Sequence, residues 1–227
     1  MKTIGASELN DKLIFHEKGV LSQKGYHLLA LQDLDLRGHV FSNRKLNAID
    51  LKGSDLSQAI FLNCDLTSAN FKNTNLEQTR FEHCLLRCAD FNGSNIKNSK
   101  FINITGPHTT FSHSSLWGVD FSGNKLDHFV FNHSQLCEVN FSDSLINQEI
   151  FHSSNLSILN LKNTVLSGCD FAWSNLMGND FGQADVIDCS FSKTFGSIHY
   201  LNKVLSLEEF LQVIKKNRIK KEILKTQ

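Results

Sequence analysis

Ser68-Ala69-Asn70-Phe71-Lys72, echoed twenty residues later by Cys88-Ala89-Asp90-Phe91-Asn92, spells out a five-residue unit. A small residue is followed by Asn or Asp, then by a large apolar residue, then by two polar or variable ones. Taking the large residue as the centre, the same phase holds outward in both directions from Leu31 to Phe191. That span contains 33 consecutive centres, of which only Gly106 is not apolar and bulky. Of the 18 phenylalanines, 14 fall on this grid. An α-helix repeats every 3.6 residues and a strand every 2, so neither sustains a period of five. The chain is therefore a repeat structure whose unit is five residues long.

Two positions before the centre the residue is small, as in Ala59, Cys64, Ala69, Thr74, Thr79, Cys84, Ala89, Ser94 and Ser99. Just before the centre stand Asp50, Asp55, Asp65, Asn70, Asn75, Asp90, Asn95, Asp120, Asn140, Asn155, Asp170 and Asp180. This pattern resembles the pentapeptide-repeat family, whose motif is A-(D/N)-L-x-x, over roughly residues 31 to 195. The resemblance implies an all-β solenoid, a right-handed quadrilateral β-helix with four pentapeptides in each 20-residue coil. Four centres and four small residues then point inward, and backbone bonds run between coils. The grid amounts to about eight coils, a rod roughly 40 Å long at about 4.8 Å per coil. The expected organisation is an N-terminal helical cap over 1–25, the β-helix over 26–195, and a C-terminal helical cap and dimerisation segment over 196–227.

Phenylalanine recurs every ten residues from Phe61 to Phe151, with aliphatics such as Leu56, Leu66, Leu76, Leu86 and Ile96 between. On a square coil this puts phenylalanines on two opposite sides and aliphatics on the other two, which fills a narrow tube. Residues 20 apart stack, so Cys64 lies on Cys84 and Cys169 on Cys189. Parallel stacking favours reduced, buried thiols over disulfides. Cys137, just after a centre, is expected to face outward and to be the most reactive thiol. The N-terminus lacks the apolar run of a signal peptide, and no stretch reaches the length of a transmembrane helix. A cytoplasmic location is the resulting expectation.

The candidate interface residues are Gly106, Pro107, His108, His113, Trp117, His128, His133 and Trp173. His108 and His128 are 20 apart, as are His113 and His133, and Trp173 shares the column of the second pair. The four histidines and both tryptophans are expected to face outward, whereas Gly106 occupies an inward centre. With no carboxylate placed to complete a shell, neither a metal nor another cofactor is expected. Gly106 and Pro107 interrupt the grid, and proline removes a ladder donor, so a bulge that re-aims one corner is expected there.

The chain is neutral overall, yet between Phe101 and Ser190 nine acids face only Lys125 and Lys162. Asp120, Asp170, Asp180 and Asp185 of that set stand at the repeat's own Asp/Asn position, where they could serve the corner turns. From Lys203 onward seven bases outnumber three acids.

Both ends of a solenoid need covering. Ser7 is read as the cap of a helix with Leu9, Leu13 and Val20 on one face, ending near Gly19 or Gly25. Ser206-Leu207-Glu208-Glu209 reads as a capping box opening a second helix. There Leu207, Phe210, Leu211 and Ile214 form one face and serve as dimerisation anchors.

No phosphate loop, nucleophile elbow or paired-carboxylate cleft is present, and a filled tube has no pocket, so an enzyme is not expected. The resemblance implies instead a bacterial protein of the gyrase-interacting, quinolone-resistance type. Such a protein mimics DNA in shape and charge, and its partner is DNA gyrase or topoisomerase IV. A general interaction scaffold and a secreted effector with a host partner are the alternatives. No small-molecule substrate is expected, and a homodimer through the C-terminal helices is.

Overall fold

Every twenty residues the backbone returns to the same side and pairs with itself in parallel, as in Asp50 with Asn70 and Asn70 with Asp90. The computed structural model describes residues 1–22, 29–201 and 203–225, with side chains of 1–20, 29–201 and 203–217. It is a four-sided parallel β-solenoid of about eight coils with a helix at each end. The boundary expected at residues 25 and 26, like a helix end at Gly25, lies outside the described residues.

We number the four sides by their centres. Face I carries Phe41 to Phe141, Leu161 and Phe181; face II, Leu46 to Leu86, Gly106, and Leu126 to Val186. Face III carries Leu31, Leu51 and Phe71 to Phe191; face IV, Leu36 to Leu176. The apolar centres from Leu31 to Phe181 are buried inward. Phe81 and Phe101 are register partners on face I, as the ten-residue period requires. Within a face the rings stack, Phe71 on Phe91 at 4.6 Å, and across the tube they meet edge-on, Phe61 against Phe71 at 5.7 Å. Both geometries suit the ring quadrupole.

The small inward position has a polar task besides making room. Ser94 Oγ donates to Phe71 O at 2.6 Å, Ser114 Oγ to Phe91 O at 2.7 Å and Ser134 Oγ to Phe111 O at 2.6 Å, each spanning 23 residues. Cys64 and Cys84 thiols do the same to Phe41 O and Phe61 O, both at 3.3 Å. Buried hydroxyls and thiols thus satisfy the corner carbonyls.

Strands β3 (Val40–Ser42), β4 (Ile60–Leu62), β5 (Arg80–Glu82) and β6 (Lys100–Ile102) form one parallel sheet on face I. Strands β7 (Lys125–Asp127), β8 (Leu145–Asn147), β9 (Val165–Ser167) and β11 (Asp185–Ile187) form a second, on face II. The extended side therefore moves round one corner in the middle of the rod. The move coincides with Gly106 and Pro107. Among the described residues no bridge joins Thr105 to Lys125, although the face II ladder is continuous from Lys45 to Thr105.

At the N-terminal end, β1 (Lys2–Thr3) pairs in parallel with β2 (Leu34–Asp35) on the first coil. Helix α1 (Ala6–Ser22) buries Leu9 and Leu13 over the open tube. It begins at Ala6, so Ser7 lies inside its first turn and is not its cap, and it continues past Gly19. Arg44 clamps it to the solenoid through Glu17 at 3.2 Å and Asn10 at 2.5 Å.

At the other end β10 (Asn179–Asp180) pairs with β12 (Ile198–Tyr200), which turns back as β13 (Lys203–Leu205). Helix α2 (Leu207–Lys225) follows, opened by the expected capping box. Glu209 N donates to Ser206 Oγ at 3.2 Å, and Ser206 N donates to Glu209 Oε2 at 2.8 Å. Phe210 seals the tube, its ring 5.0 Å from Phe181 and 5.3 Å from Phe191.

Candidate functional site

The second position after each centre turns the chain from one side to the next. Nearly all of these residues have positive φ, among them Asn63, Asn73, His108, His113, His128, His133, Ile158 and Trp173. Left-handed backbone favours Gly, Asn, Asp and His over branched or bulky residues. That preference accounts for much of the histidine ladder. The candidate interface residues separate accordingly along the two edges of face III and onto face IV. Gly106, Pro107, His108 and His128 lie on face II and its corner with face III. His113, His133 and Trp173 line the corner of faces III and IV, and Trp117 stands on face IV.

His108 and His128 rings are 5.2 Å apart, and His113 stacks on His133 at 4.9 Å. His128 Nδ1 lies 3.1 Å from Asp127 Oδ1. Among the described residues no group of three His, Cys, Asp or Glu could hold a metal ion. Trp117 and Trp173 are both exposed, and Lys193 Nζ sits 4.1 Å over the Trp173 ring.

The acids divide by role and by side. Asp120, Asp170 and Asp180 accept from the backbone N–H two residues on, at 3.0, 3.0 and 2.8 Å, so each holds its own corner as an Asx turn. Of the nine acids between Phe101 and Ser190, Glu149 is buried, which leaves eight pointing outward. Seven of those eight (Asp120, Asp127, Glu138, Asp143, Asp180, Asp185 and Asp188) lie on the adjacent faces I and II or on the corners that bound them. Elsewhere faces III and IV hold only Asp170. A polar depression of 160 Å³ between Asn160, Lys162, Asp180 and Gln183 opens on face I.

All six cysteines are free. The neighbouring thiol and then burial hold Cys84, over Cys64, and Cys169, under Cys189, well above the ordinary thiol range. Cys137 does not prove the most accessible thiol. It is half-buried, and its Sγ accepts from Ser157 Oγ at 3.3 Å and from Asn155 Nδ2 at 3.4 Å. Cys88, at a corner, is the exposed one. Timed alkylation read by mass spectrometry should therefore modify Cys88 first and Cys137 next, with Cys64, Cys84 and Cys169 protected in the native state. Equal rates at Cys88 and Cys84 would contradict the inward assignment of the small position.

Two interior residues escaped the sequence reading. Phe129 occupies a small inward position yet is fully buried, its ring 6.1 Å from Phe111 and 6.4 Å from Phe131. It stands 23 residues after Gly106, the same offset that links each interior hydroxyl to its carbonyl. The missing side chain at 106 and the oversized one at 129 thus share one corner, and the ring fills what would otherwise be a gap. Asn124 adapts the same region, donating to Phe101 O at 2.7 Å and accepting from Ile104 N at 3.0 Å. The signal was present in the sequence as a phenylalanine off the grid.

The second is Glu149, one coil above Phe129 in the same interior column. It is fully buried, and neither carboxyl oxygen makes a hydrogen bond of full geometry, although the Phe129 N–H offsets part of the burial penalty. Burial first, with a contribution from Asp127, raises its pKa to about 9, so it is neutral at pH 7.

Comparison with known proteins bears on the fold. Residues 35–111 and 54–131 match the family described as pentapeptide repeat region, and 154–192 match pentapeptide repeats (8 copies). No curated protein matches the chain. Among solved structures, a pentapeptide repeat protein from the thylakoid lumen of Arabidopsis thaliana is 28% identical. That match covers 48% of this chain and 67% of that one, with a TM-score of 0.38. HetL, involved in heterocyst differentiation regulation in the cyanobacterium Nostoc sp. strain PCC 7120, is 12% identical over 89% of this chain and 100% of its own, TM-score 0.31. QnrB1, a plasmid-mediated fluoroquinolone resistance protein, is 16% identical over 84% and 97%, TM-score 0.34. The TM-scores are low, and none of these likenesses bears on a partner.

Proposed function

This chain belongs to the pentapeptide-repeat family, and on that premise we propose that it is a non-enzymatic binding rod. Its acidic corner, formed by faces I and II of the second half, meets a basic groove on a protein partner. The observation that carries this reading is the placement of seven of the eight outward acids on those two faces or the corners that bound them, against Lys125 and Lys162 alone. Such a field steers association and tracks a groove without a concave pocket. The named partner is bacterial DNA gyrase or topoisomerase IV, which the rod would engage in place of a DNA segment and so confer resistance to topoisomerase poisons. Six free thiols support a reducing compartment, and we place the protein in the cytoplasm.

The test is gyrase and topoisomerase IV supercoiling and decatenation with the purified protein, with and without a quinolone, across a salt series. Inhibition or protection that weakens steeply with salt is expected, because the contact is largely electrostatic. The pair Asp143→Lys and Asp188→Lys should weaken it at least tenfold, each site being outward and away from the packed interior. Inactivity on both enzymes rejects the topoisomerase reading. The rod then has another partner, as a general interaction scaffold or an effector.

A homodimer through the C-terminal end is also part of the proposal, with a changed set of anchors. Phe210 is consumed within its own chain and Leu207 and Ile214 pack partly on the core. Of the expected anchors only Leu211 is left exposed, alongside Leu201 and Val204. Deleting 203–227 would unseal the tube, so Val204→Lys with Leu211→Lys is the better probe. Light scattering should show the dimer mass halved by that pair. A wild-type monomer would reject the dimer.

A further inference from the structure

Face IV carries apolar residues that do nothing for this chain. From the middle of the rod to its C-terminal end Trp117, Ile158, Met177 and Phe195 all point outward, each more than half exposed, with half-buried Cys137 between. The coils beneath them are in register, as shown by the bridges Ser115–Gln135, Gln135–Asn155, Asn155–Asn175 and Asn175–Phe195. Trp117, Cys137 and Met177 stand in one column just after the face IV centres, with Ile158 on its face I side and Phe195 on its face III side, so together they form an apolar band along the rod axis.

Ile158 is the most telling member. It occupies a corner position at φ 58°, where a β-branched residue is disfavoured and most corners of this rod use Asn, Gly, His, Asp, Ser or Gln. It is also 58% exposed. Strain and apolar exposure combine at one residue. Above it Gly178 leaves room, for a Cβ there would stand 3.4 Å from Ile158 Cγ1. The isoleucine gains little within the fold.

The two long edges of this face differ in charge. Toward face I run Asp120, Glu138 and Asp180; toward face III run His113, His133, Ser153 and Trp173, with Lys193 on the indole. A partner that fits must be apolar along its middle and basic along one flank. The spacing selects its backbone. The apolar residues repeat at about one coil, ~4.8 Å, close to the ~5.4 Å pitch of an α-helix and well short of the ~6.7 Å between same-side residues of a strand. A helix inclined by about 27° matches the coil repeat, and the stripe of four coil steps, roughly 19 Å, takes about four turns or ~14 helical residues.

We propose that face IV, from Trp117 to Phe195, is a docking surface for an amphipathic α-helix of another protein, its apolar stripe flanked on one side by Lys or Arg. The site shares Asp120, Glu138 and Asp180 with the acidic side of the rod, but its apolar residues are its own, so this reading and the topoisomerase reading fail separately.

The two tryptophans of the chain, Trp117 and Trp173, both border this surface, so intrinsic fluorescence reports on it directly. The probe is a synthetic 16-residue Leu/Lys helix with its lysines along one flank, titrated into the full-length protein. Two control peptides accompany it: the same composition scrambled, and the helix with Glu in place of Lys. Saturable binding with a blue shift is expected for the Lys-flanked helix alone. Ile158→Asn places a residue suited to left-handed backbone, so it should fold at least as well as the wild type. Combined with Met177→Ser it should weaken binding at least tenfold. Asp143→Lys with Asp188→Lys should leave it within about twofold. Equal binding of the scrambled peptide, or unchanged affinity in the Ile158→Asn, Met177→Ser protein, overturns the proposal.

Discussion

Lowering the pH from 9 toward 5 should stabilise this protein by several kcal/mol, and Glu149→Ala should abolish most of that dependence. Glu149 is buried with no hydrogen bond of full geometry to either oxygen, and burial outweighs the nearby Phe129 N–H to raise its pKa from 4.5 to about 9. Below pH 4.5 the folded and unfolded states both hold the proton, so nothing is lost. As pH rises from there the unfolded chain gives up its proton and the folded chain does not. Each unit then favours unfolding by about 1.4 kcal/mol until the folded carboxyl itself ionises near pH 9. The cost is thus about 3 kcal/mol at pH 7 and about 6 kcal/mol in full. Alanine already occupies the same interior column at Ala69 and Ala89, so the substitution fits the tube. Urea denaturation at pH 5, 7 and 9 should find Glu149→Ala about 3 kcal/mol more stable than wild type at neutral pH, with the gap closing toward pH 5. Glu149→Gln should flatten the pH dependence while keeping a buried, unpartnered amide, and so stabilise less. Parallel pH profiles for wild type and Glu149→Ala would contradict the assignment.

Restoring the repeat at its one defect should do harm. Gly106→Leu puts the missing apolar centre back on the grid, yet a Cβ at 106 would stand 2.3 Å from Arg87 N and 2.5 Å from the Leu86 carbonyl carbon. Both are backbone atoms of the coil below, and the φ of +152° is a conformation that residues with side chains rarely adopt. On the grid Phe129, 23 residues on and fully buried, is the large interior side chain that would fill the space left at 106. Phe129→Ala should cost about 3–5 kcal/mol, the range for emptying a buried phenylalanine site. Gly106→Leu should cost at least ~3 kcal/mol through overpacking and backbone displacement. The double variant is the decisive case. If the defect were merely a swapped pair of side chains, Gly106→Leu would rescue Phe129→Ala, and the doubly changed protein would approach wild-type stability. The backbone contact at 106 predicts no rescue, and a denaturation midpoint above that of Phe129→Ala alone would refute it.

Both results turn on a corner that differs from its neighbours, and that difference explains what could be read in advance. Inward positions repeat with the chain, because every coil must bury the same four centres and four small residues. The Phe and Leu faces, the reduced cysteine stacks and the capping box at Ser206 were all visible for this reason. Residues at the corners were harder to judge. Their left-handed backbone selects Asn, Gly and His for conformational reasons, so His108 and His128, or His113 and His133, look like a binding ladder in sequence while serving as turns. The acids at Asp120, Asp170 and Asp180 likewise hold their own corners while facing outward.

The solenoid, its coil length, its interior and the existence of two capped ends follow from the order of residues alone. A five-residue period held over 33 centres admits one arrangement in which each apolar side chain leaves water, and no long-range information is needed to find it. How neighbouring coils compensate for one another emerges only once the chain is folded. Phe129 answering Gly106, the sheet passing from face I to face II, Glu149 sealed in the interior, and β1 joining the first coil all depend on residues brought together from different coils or ends. The same holds outside the tube, where Trp117, Ile158, Met177 and Phe195 become one stripe only when the coils stack in register. A period specifies what every coil shares; where one coil departs from it, the neighbour above or below determines the consequence, because a close-packed interior leaves that space to no other residue.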